Sequence, residues 1–372
     1  MKKGGEFVMF FKIPTLVYFE EDCIKNHQEE LASFGETCLI VTSKTSSKVS
    51  GSLDDLTEVL KSNNIVYYIF DEVEENPSLK TIERAYLNHK DKNIKFVIGL
   101  GGGSPMDASK AIAVMLYHRF DDVYKLVAKD ADDNSLPVVA IPTTCGTGSE
   151  VTGAAVITNE KDNLKQSISY RIYPKLALVD GKYLYSLPKH VLTNSAVDAL
   201  AHLIESYISS KATEFSNMIA LEGLRVWRLN KENLLNPENL NKEDYKNLML
   251  ASVYGGMAIA HCGTSLPHGF SYALTYNLGI PHGKAVGYFI YGYLKYACKK
   301  DVRTILDILG FDDLKQLKDY LIKVCNLTVL DDLILDLSLK ELKENKSKLS
   351  YCPYPVDENL LRKVAYAYGN DE

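Results

Sequence analysis

Four positions in this sequence carry metal-ligating side chains at spacings that can bring them together. Asp198 and His202 lie four residues apart in Asp198-Ala-Leu-Ala-His202. On a helix that spacing puts them on one face, about 40° apart in projection. His268 follows in Leu266-Pro-His-Gly269 and His282 in Ile280-Pro-His-Gly283. One carboxylate and three imidazoles make a donor set for a divalent ion such as Fe(II) or Zn(II). An Asp-x-x-x-His pair also occurs on helices as a plain polar pair, so spacing alone leaves both readings open. The chain has eight histidines. His27, His89 and His118 sit in polar, surface-like contexts, and His190 lies near an expected helix start. His261, seven residues before His268, is a reserve ligand.

A second signal is Phe96-Val-Ile-Gly-Leu-Gly-Gly-Gly-Ser-Pro-Met-Asp-Ala-Ser-Lys110, where a strand runs into three glycines at 101–103. Glycine lets the backbone turn tightly against a bulky anion. A helix start offers free N–H groups and positive dipole charge to a phosphate. Ser104, Pro105 and Asp107 read as N-cap, N1 and N3 of that helix. The spacing is not GxGxxG, and the alternative is an ordinary strand–helix turn. A second loop, Ile141-Pro-Thr-Thr-Cys-Gly-Thr-Gly-Ser-Glu-Val-Thr152, supplies hydroxyls and glycines after a later strand. Such loops line ligands at the strand C-termini of α/β sheets, or simply bond their own backbone. Cys145 within it reads as a small buried side chain.

These residues need positioning elements. The first half alternates strands (37–42, 65–70, 96–100, 138–141, 176–179) with helices (22–34, 53–62, 79–90, 104–118). That pattern implies a parallel sheet with right-handed crossovers. Residues 7–19 read as an edge strand or hairpin. From Pro188 onward helical periodicity dominates: 191–209, 216–229, 242–260, 301–309, 314–324, 339–346 and 357–368. Residues 234–243 read as a polar loop. The expected fold is an α/β domain with a parallel sheet over 1–182 and an all-α domain over 183–372. A length of 372 residues suits two domains. With 42 Lys+Arg against 48 Asp+Glu, the net charge of −6 argues against nucleic acid and anionic membranes as partners. No run of 18 apolar residues appears, and residues 1–11 lack a signal-peptide core. Seven scattered cysteines without a CxxC pair point to reduced thiols and a cytoplasmic location.

Together these segments resemble the iron-containing (group III) alcohol dehydrogenase family. The resemblance rests on GGGSPMDASK at 101–110, PTTCGTGSEVT at 142–152, DALAH at 198–202 and HGFSYALTYNLGIPHGKA at 268–285, and runs from about Phe10 to the last helix. It implies a dehydroquinate synthase-like architecture, with cofactor and metal meeting in the cleft between the two domains. By match, Asp198, His202, His268 and His282 take the metal-ligand roles. Gly102, Gly103 and Ser104 fall at the pyrophosphate turn, and Asp107 near the nicotinamide end. Thr143, Thr144, Ser149, Val151 and Lys165 match nucleotide-lining positions, and Asn76 an adenosine-side position.

Departures from the family pattern carry information. Relatives that prefer NAD have Asp after the first central strand, where this chain has Ser43, followed by Lys44, Ser46, Ser47 and Lys48. Ser43 and Ser47 with the lysines suit a 2′-phosphate, which implies NADP(H) over NAD(H). Tyr272 stands where many relatives have a further His, and cannot titrate near neutrality. Glu20-Glu21 replaces a Gly-rich turn, and residues 351–355 replace a common Asn-Pro-Arg segment. The resemblance implies reversible hydride transfer between NADP(H) and a small primary alcohol or aldehyde, with Fe(II) or Zn(II) as Lewis acid. No residue emerges as catalytic acid or base. A Zn(II) glycerol or polyol dehydrogenase, a non-catalytic nucleotide-binding protein, and a lyase or cyclase of related architecture are the alternatives. A homodimer or higher homo-oligomer is expected.

Overall fold

The computed structural model describes residues 10–129, 131–162 and 164–369. The first three positions of the expected edge segment, and most of the N-terminal stretch, lie outside them.

Among the described residues, eight strands form two sheets. They are β1 (Leu16–Phe19), β2 (Thr37–Val41), β3 (Val66–Phe70), β4 (Phe96–Gly101), β5 (Val138–Pro142), β6 (Val156–Asn159), β7 (Leu164–Ser167) and β8 (Leu176–Val179). Six make a parallel sheet in the order β1-β8-β5-β4-β2-β3. Every residue of β4, β5 and β8 is buried. That explains their near-continuous Val, Ile and Leu runs, because helices cover both sheet faces. One apolar cluster, with Leu39, Ile82, Val97 and Ile112, packs on one face. Another, with Ile40, Leu56, Ile98 and Tyr183, packs on the other. The sequence order reverses between β2 and β4, and there an open α/β sheet leaves a crevice outside its strand ends. Ser43 follows β2 and the glycine turn follows β4, so both flank that crevice.

β6 and β7 form a separate antiparallel pair, which the sequence reading missed. β7 reads Leu-Lys-Gln-Ser and has no buried residue, so it lacks the apolar alternation that marks a strand. The expected helix over 22–34 is two short ones, Cys23–Asn26 and Gln28–Ala32, broken at His27. β1 pairs in parallel with β8 at the sheet edge, as its composition suggested.

After β8 the described chain is helical. Lys189–Ile208 is the central helix and buries fifteen of its residues. Glu214–Arg228, capped by Thr213 and Ser216, packs on it, and Trp227 Nε1 donates to the Ala196 carbonyl at 2.7 Å. Lys242–Cys262, Leu266–Leu278 and His282–Lys295 complete the site half. The last two carry His268 and His282 near their N-terminal ends. The largest apolar cluster joins these helices to Ala177 and Val179 of β8. No helix among the described residues is long and apolar enough to cross a membrane.

Candidate metal and nucleotide site

Asp198 and His202 lie on the same face of the buried helix Lys189–Ile208, as their spacing requires. His268 enters one turn into its helix, behind Pro267, and His282 opens the next helix behind Pro281. Gly283 fixes that helix start. Its backbone lies so close to the central helix that a Cβ would run into the Asn194 carbonyl.

The three imidazoles converge on one carboxylate oxygen. Asp198 Oδ1 lies 3.2 Å from His268 Nε2, 3.7 Å from His282 Nε2 and 3.8 Å from His202 Nε2. Ligand atoms of Asp198, His268 and His282 all lie within 4.8 Å of one another. Two rings are committed at their other nitrogen. His202 Nδ1 bonds the Gly146 carbonyl at 3.1 Å, and His268 Nδ1 bonds the Glu205 carboxylate. With their protons placed at Nδ1, both turn an Nε2 lone pair toward Asp198. Lone pairs and a carboxylate facing one point suit a cation rather than each other. Burial pushes His202 down to about 4 and His282 down to about 3, toward the neutral form a ligand needs, whereas against burial Glu205 and Asp198 raise His268. Burial works to raise the Asp198 carboxyl, but the surrounding imidazoles hold it well below the usual range. The donor set fits a divalent ion of Fe(II) or Zn(II) type.

Glu205 was missed from sequence. It sits three residues after His202, on the same helix, and is 1% exposed. Its other oxygen accepts from the Ser265 backbone N–H at 2.6 Å. The extended spacing Asp-x-x-x-His-x-x-Glu was the available signal. His261, the reserve ligand, is elsewhere: it accepts from the Lys12 N–H at 3.0 Å and stacks on Phe11. His89, expected at the surface, is buried against the Ala85 carbonyl.

The same cleft, about 1670 Å³, continues to the sheet. That exceeds the roughly 300–1,000 Å³ of a single small-ligand pocket and suits a dinucleotide with a substrate. Gly102, Gly103, Ser104, Thr143, Thr144, Asn76, Lys165 and Ser43 all line it. Gly101 leaves β4 at φ +143, a conformation side chains rarely adopt, and the helix begins at Gly103 with Gly102 as its cap. Ser104 is therefore inside the helix rather than its N-cap. Its hydroxyl instead accepts from the Asn76 N–H at 3.1 Å, tying two walls of the cleft together. The Thr143 hydroxyl is buried and has no partner among the described residues.

Three of the expected nucleotide contacts have other partners within the protein. Ser47 is fully buried and takes a hydrogen bond from Thr42 at 2.9 Å, while its neighbour Ser46 lines the cleft, 2.6 Å from the Ser43 hydroxyl. The turn Ser46–Val49 is helical, which rotates Ser47 inward. Val151 is fully buried in the large helical cluster and does not line the cleft. Asp107 does reach the cleft wall, but its carboxylate is already engaged. It accepts from Ser149 Oγ at 2.6 Å and Val156 N at 2.8 Å. The Ser149 hydroxyl in turn accepts from Lys110 Nζ at 2.7 Å, and Lys110 also donates to the Ser149 and Ala154 carbonyls. Lys110, three residues after Asp107, thus pins the second loop against the glycine-turn helix. Cys145 is fully buried, as expected.

Residues 14–181 match the family model for iron-containing alcohol dehydrogenase, and residues 192–352 match its C-terminal counterpart. This chain belongs to the iron-containing alcohol dehydrogenase family. Among solved structures, an iron-containing alcohol dehydrogenase from Thermotoga maritima is 35% identical with a TM-score of 0.89, covering 97% of this chain and 99% of that one. The NADPH-dependent butanol dehydrogenase of Clostridium saccharobutylicum is 28% identical over 305 residues, 81% of this chain and 76% of that protein. The bifunctional aldehyde-alcohol dehydrogenase of Escherichia coli is 30% identical over 307 residues, 79% of this chain. This iron-containing alcohol dehydrogenase family member spans about a third of the length of such bifunctional relatives, 34% in that case.

Proposed function

We propose that the chain is a metal-dependent oxidoreductase interconverting a small primary alcohol and its aldehyde with NADP(H). The supporting observation is the convergence of three Nε2 atoms on Asp198 in the cleft that also holds the glycine turn. Asp198, His202, His268 and His282 hold the ion, Fe(II) in the first instance and Zn(II) as the alternative. Bound there, the cation would supply Lewis-acid polarisation of a substrate oxygen and the reduced nicotinamide the hydride, so that aldehyde plus a proton would yield alcohol and oxidised coenzyme.

The chain's own residues do the rest. Glu205 holds the His268 ring in its ligating tautomer. The N–H groups at the start of helix Gly103–His118 receive the pyrophosphate, with Ser104 locking Asn76 beside it. The Thr143 hydroxyl, without a partner among the described residues, is placed to bond the dinucleotide. Lys165, on β7, brings a cation to the same wall. Ser43 and Ser46 face the 2′-position, with exposed Lys44 next to them; Lys48 is held by Asp71 at 2.8 Å. No carboxylate stands at position 43 to repel a 2′-phosphate. Residues 1–182 act as the nucleotide half and 183–372 as the metal half. The seven cysteines are all unpaired, which suits a reducing cytoplasm. The exposed edge of β1 suits self-association into a homodimer or larger homo-oligomer.

The test is a side-by-side assay of the Fe(II)-loaded protein on butanal with NADPH and NADH. Faster reduction with NADPH supports the reading. The Ser43→Asp variant should then reverse the preference by tenfold or more. Turnover of glycerol with Zn(II), and none of butanal, would replace it with the polyol reading.

A further inference from the structure

The helical wall of the cleft carries a cation, Lys348, that has no carboxylate within ion-pair distance among the described residues, although Glu341 and Glu344 line the same cleft. Lys348 belongs to the short helix Lys346–Ser350, beside Leu266–Leu278. Its stem crosses Gly269, the residue after His268. A Cβ at Gly269 would lie 3.4 Å from Lys348 Cβ and 3.5 Å from its Cγ. The ammonium donates to the Thr264 hydroxyl and stands 5.4 Å from the centre of the Tyr272 ring. That ring is in turn 6.3 Å from the His282 imidazole. Thr264, Tyr272 and Lys348 line the cleft together with His268 and His282. The neighbouring Lys343 pairs with Glu358, but among the described residues no carboxylate lies within ion-pair distance of Lys348. Lys340 and Lys346 on the same wall are exposed, whereas Lys348 is half-buried.

We propose that Lys348, Thr264 and Tyr272 form a subsite for an anionic group, so that the natural substrate is a short aldehyde or alcohol with a carboxylate at its far end. This rests on the hydride-transfer reading above. An ammonium partly withdrawn from water gains most from a charge-assisted hydrogen bond. The Thr264 oxygen accepts from Lys348, which leaves its own proton for the second carboxylate oxygen. Tyr272 forms the apolar floor between the two ends of the substrate. The coenzyme phosphates are not the partner: their place is the helix start at Gly103, on the sheet half, while Lys348 stands on the opposite, helical wall.

The experiment compares kcat/KM for 4-oxobutanoate and butanal in the Fe(II)-loaded wild type, Lys348→Met and Lys348→Arg. The wild type should favour 4-oxobutanoate by at least tenfold. Lys348→Met should lower that ratio at least tenfold, mainly through KM, and Lys348→Arg should keep most of it. An unchanged ratio in Lys348→Met, or a wild type that prefers butanal, overturns the subsite. Calorimetric binding of 4-hydroxybutanoate to the Zn(II)-loaded proteins separates the two claims. If neither aldehyde is reduced, the hydride-transfer reading falls. Binding at least tenfold weaker in Lys348→Met then still upholds the anion subsite, and equal binding in both proteins overturns it.

Discussion

Glu205 stands behind a proposed metal ligand, His268, and holds its ring. Its carboxylate is buried and held by the Ser265 N–H, and its remaining partner is His268. A carboxylate behind a ligating histidine fixes the ring and raises its basicity, and losing it typically costs 10–100-fold in metal affinity. Glu205→Gln should therefore bind Zn(II) 10–100-fold more weakly in a competition titration with a chelator, and Glu205→Asp should lose less. Lys165 makes a pH prediction at the same scale. Burial pushes it down to about 8 from its ordinary 10.5, against the pull of Glu75, Asp107 and Asp198. It is charged below that pH and neutral above it. Attraction for the coenzyme's phosphates should weaken as pH rises through about 8. Dissociation constants for NADPH measured by fluorescence between pH 6.5 and 9.5 should show the rise, and Lys165→Gln should flatten it.

At the scale of elements, helix starts and loop contacts set the site geometry. The close approach of Gly283 to Asn194 holds His282 against Asp198. Gly283→Ala should push the two helices apart, costing about 1–3 kcal/mol by overpacking. The expected result is a lower melting temperature together with reduced metal content by elemental analysis. The second loop carries a different strain. Glu150 is buried beside Lys110, and burial raises its carboxyl to about 7 from 4.5. A raised acid favours folding below its unfolded value, and that stability is lost as pH rises through the folded one. Between about pH 4.5 and 7 the wild type should lose stability relative to Glu150→Gln, on the order of 3 kcal/mol at the upper end. Denaturant melts at pH 5 and pH 8 measure it.

The elements were the most legible part of the sequence. The central strands are β-branched runs with both faces covered, so Leu176–Val179 could be placed to the residue. The β6–β7 pair was not legible, because a short polar hairpin has no apolar periodicity to find. The four proposed ligands could be read from their types and by resemblance. Glu205 and Lys110 could not, because their roles depend on partners 63 and 39 residues away in sequence. Ser47 and Val151 are turned inward by a local helical turn and a core contact, and motif matching does not see rotation.

The whole molecule sets two different halves against one cleft. The sheet half supplies backbone N–H groups and hydroxyls at the switch point between β2 and β4. The helical half supplies the carboxylate, the imidazoles and the Lys348 wall. Neither half alone contains both, so the proposed chemistry depends on their docking. That docking rests on apolar packing between β8 and the helices, and on polar ties such as the His202 bond to the Gly146 carbonyl. That tie crosses from the second loop to a proposed metal ligand, so coenzyme and metal should bind cooperatively. NADPH should bind more tightly to metal-loaded than to metal-stripped protein in calorimetry; equal affinity would show that the halves act independently.

Turnover should depend on a divalent ion held by Asp198, His202, His268 and His282. The most direct measurement strips the protein with chelator and assays aldehyde reduction before and after anaerobic addition of one equivalent of Fe(II), for the wild type and for Asp198→Ala. The wild type should be inactive when stripped, recover on addition and retain close to one ion per chain, while Asp198→Ala should do neither. Full activity in the stripped wild type, or an Asp198→Ala variant that keeps both its metal and its turnover, would contradict it.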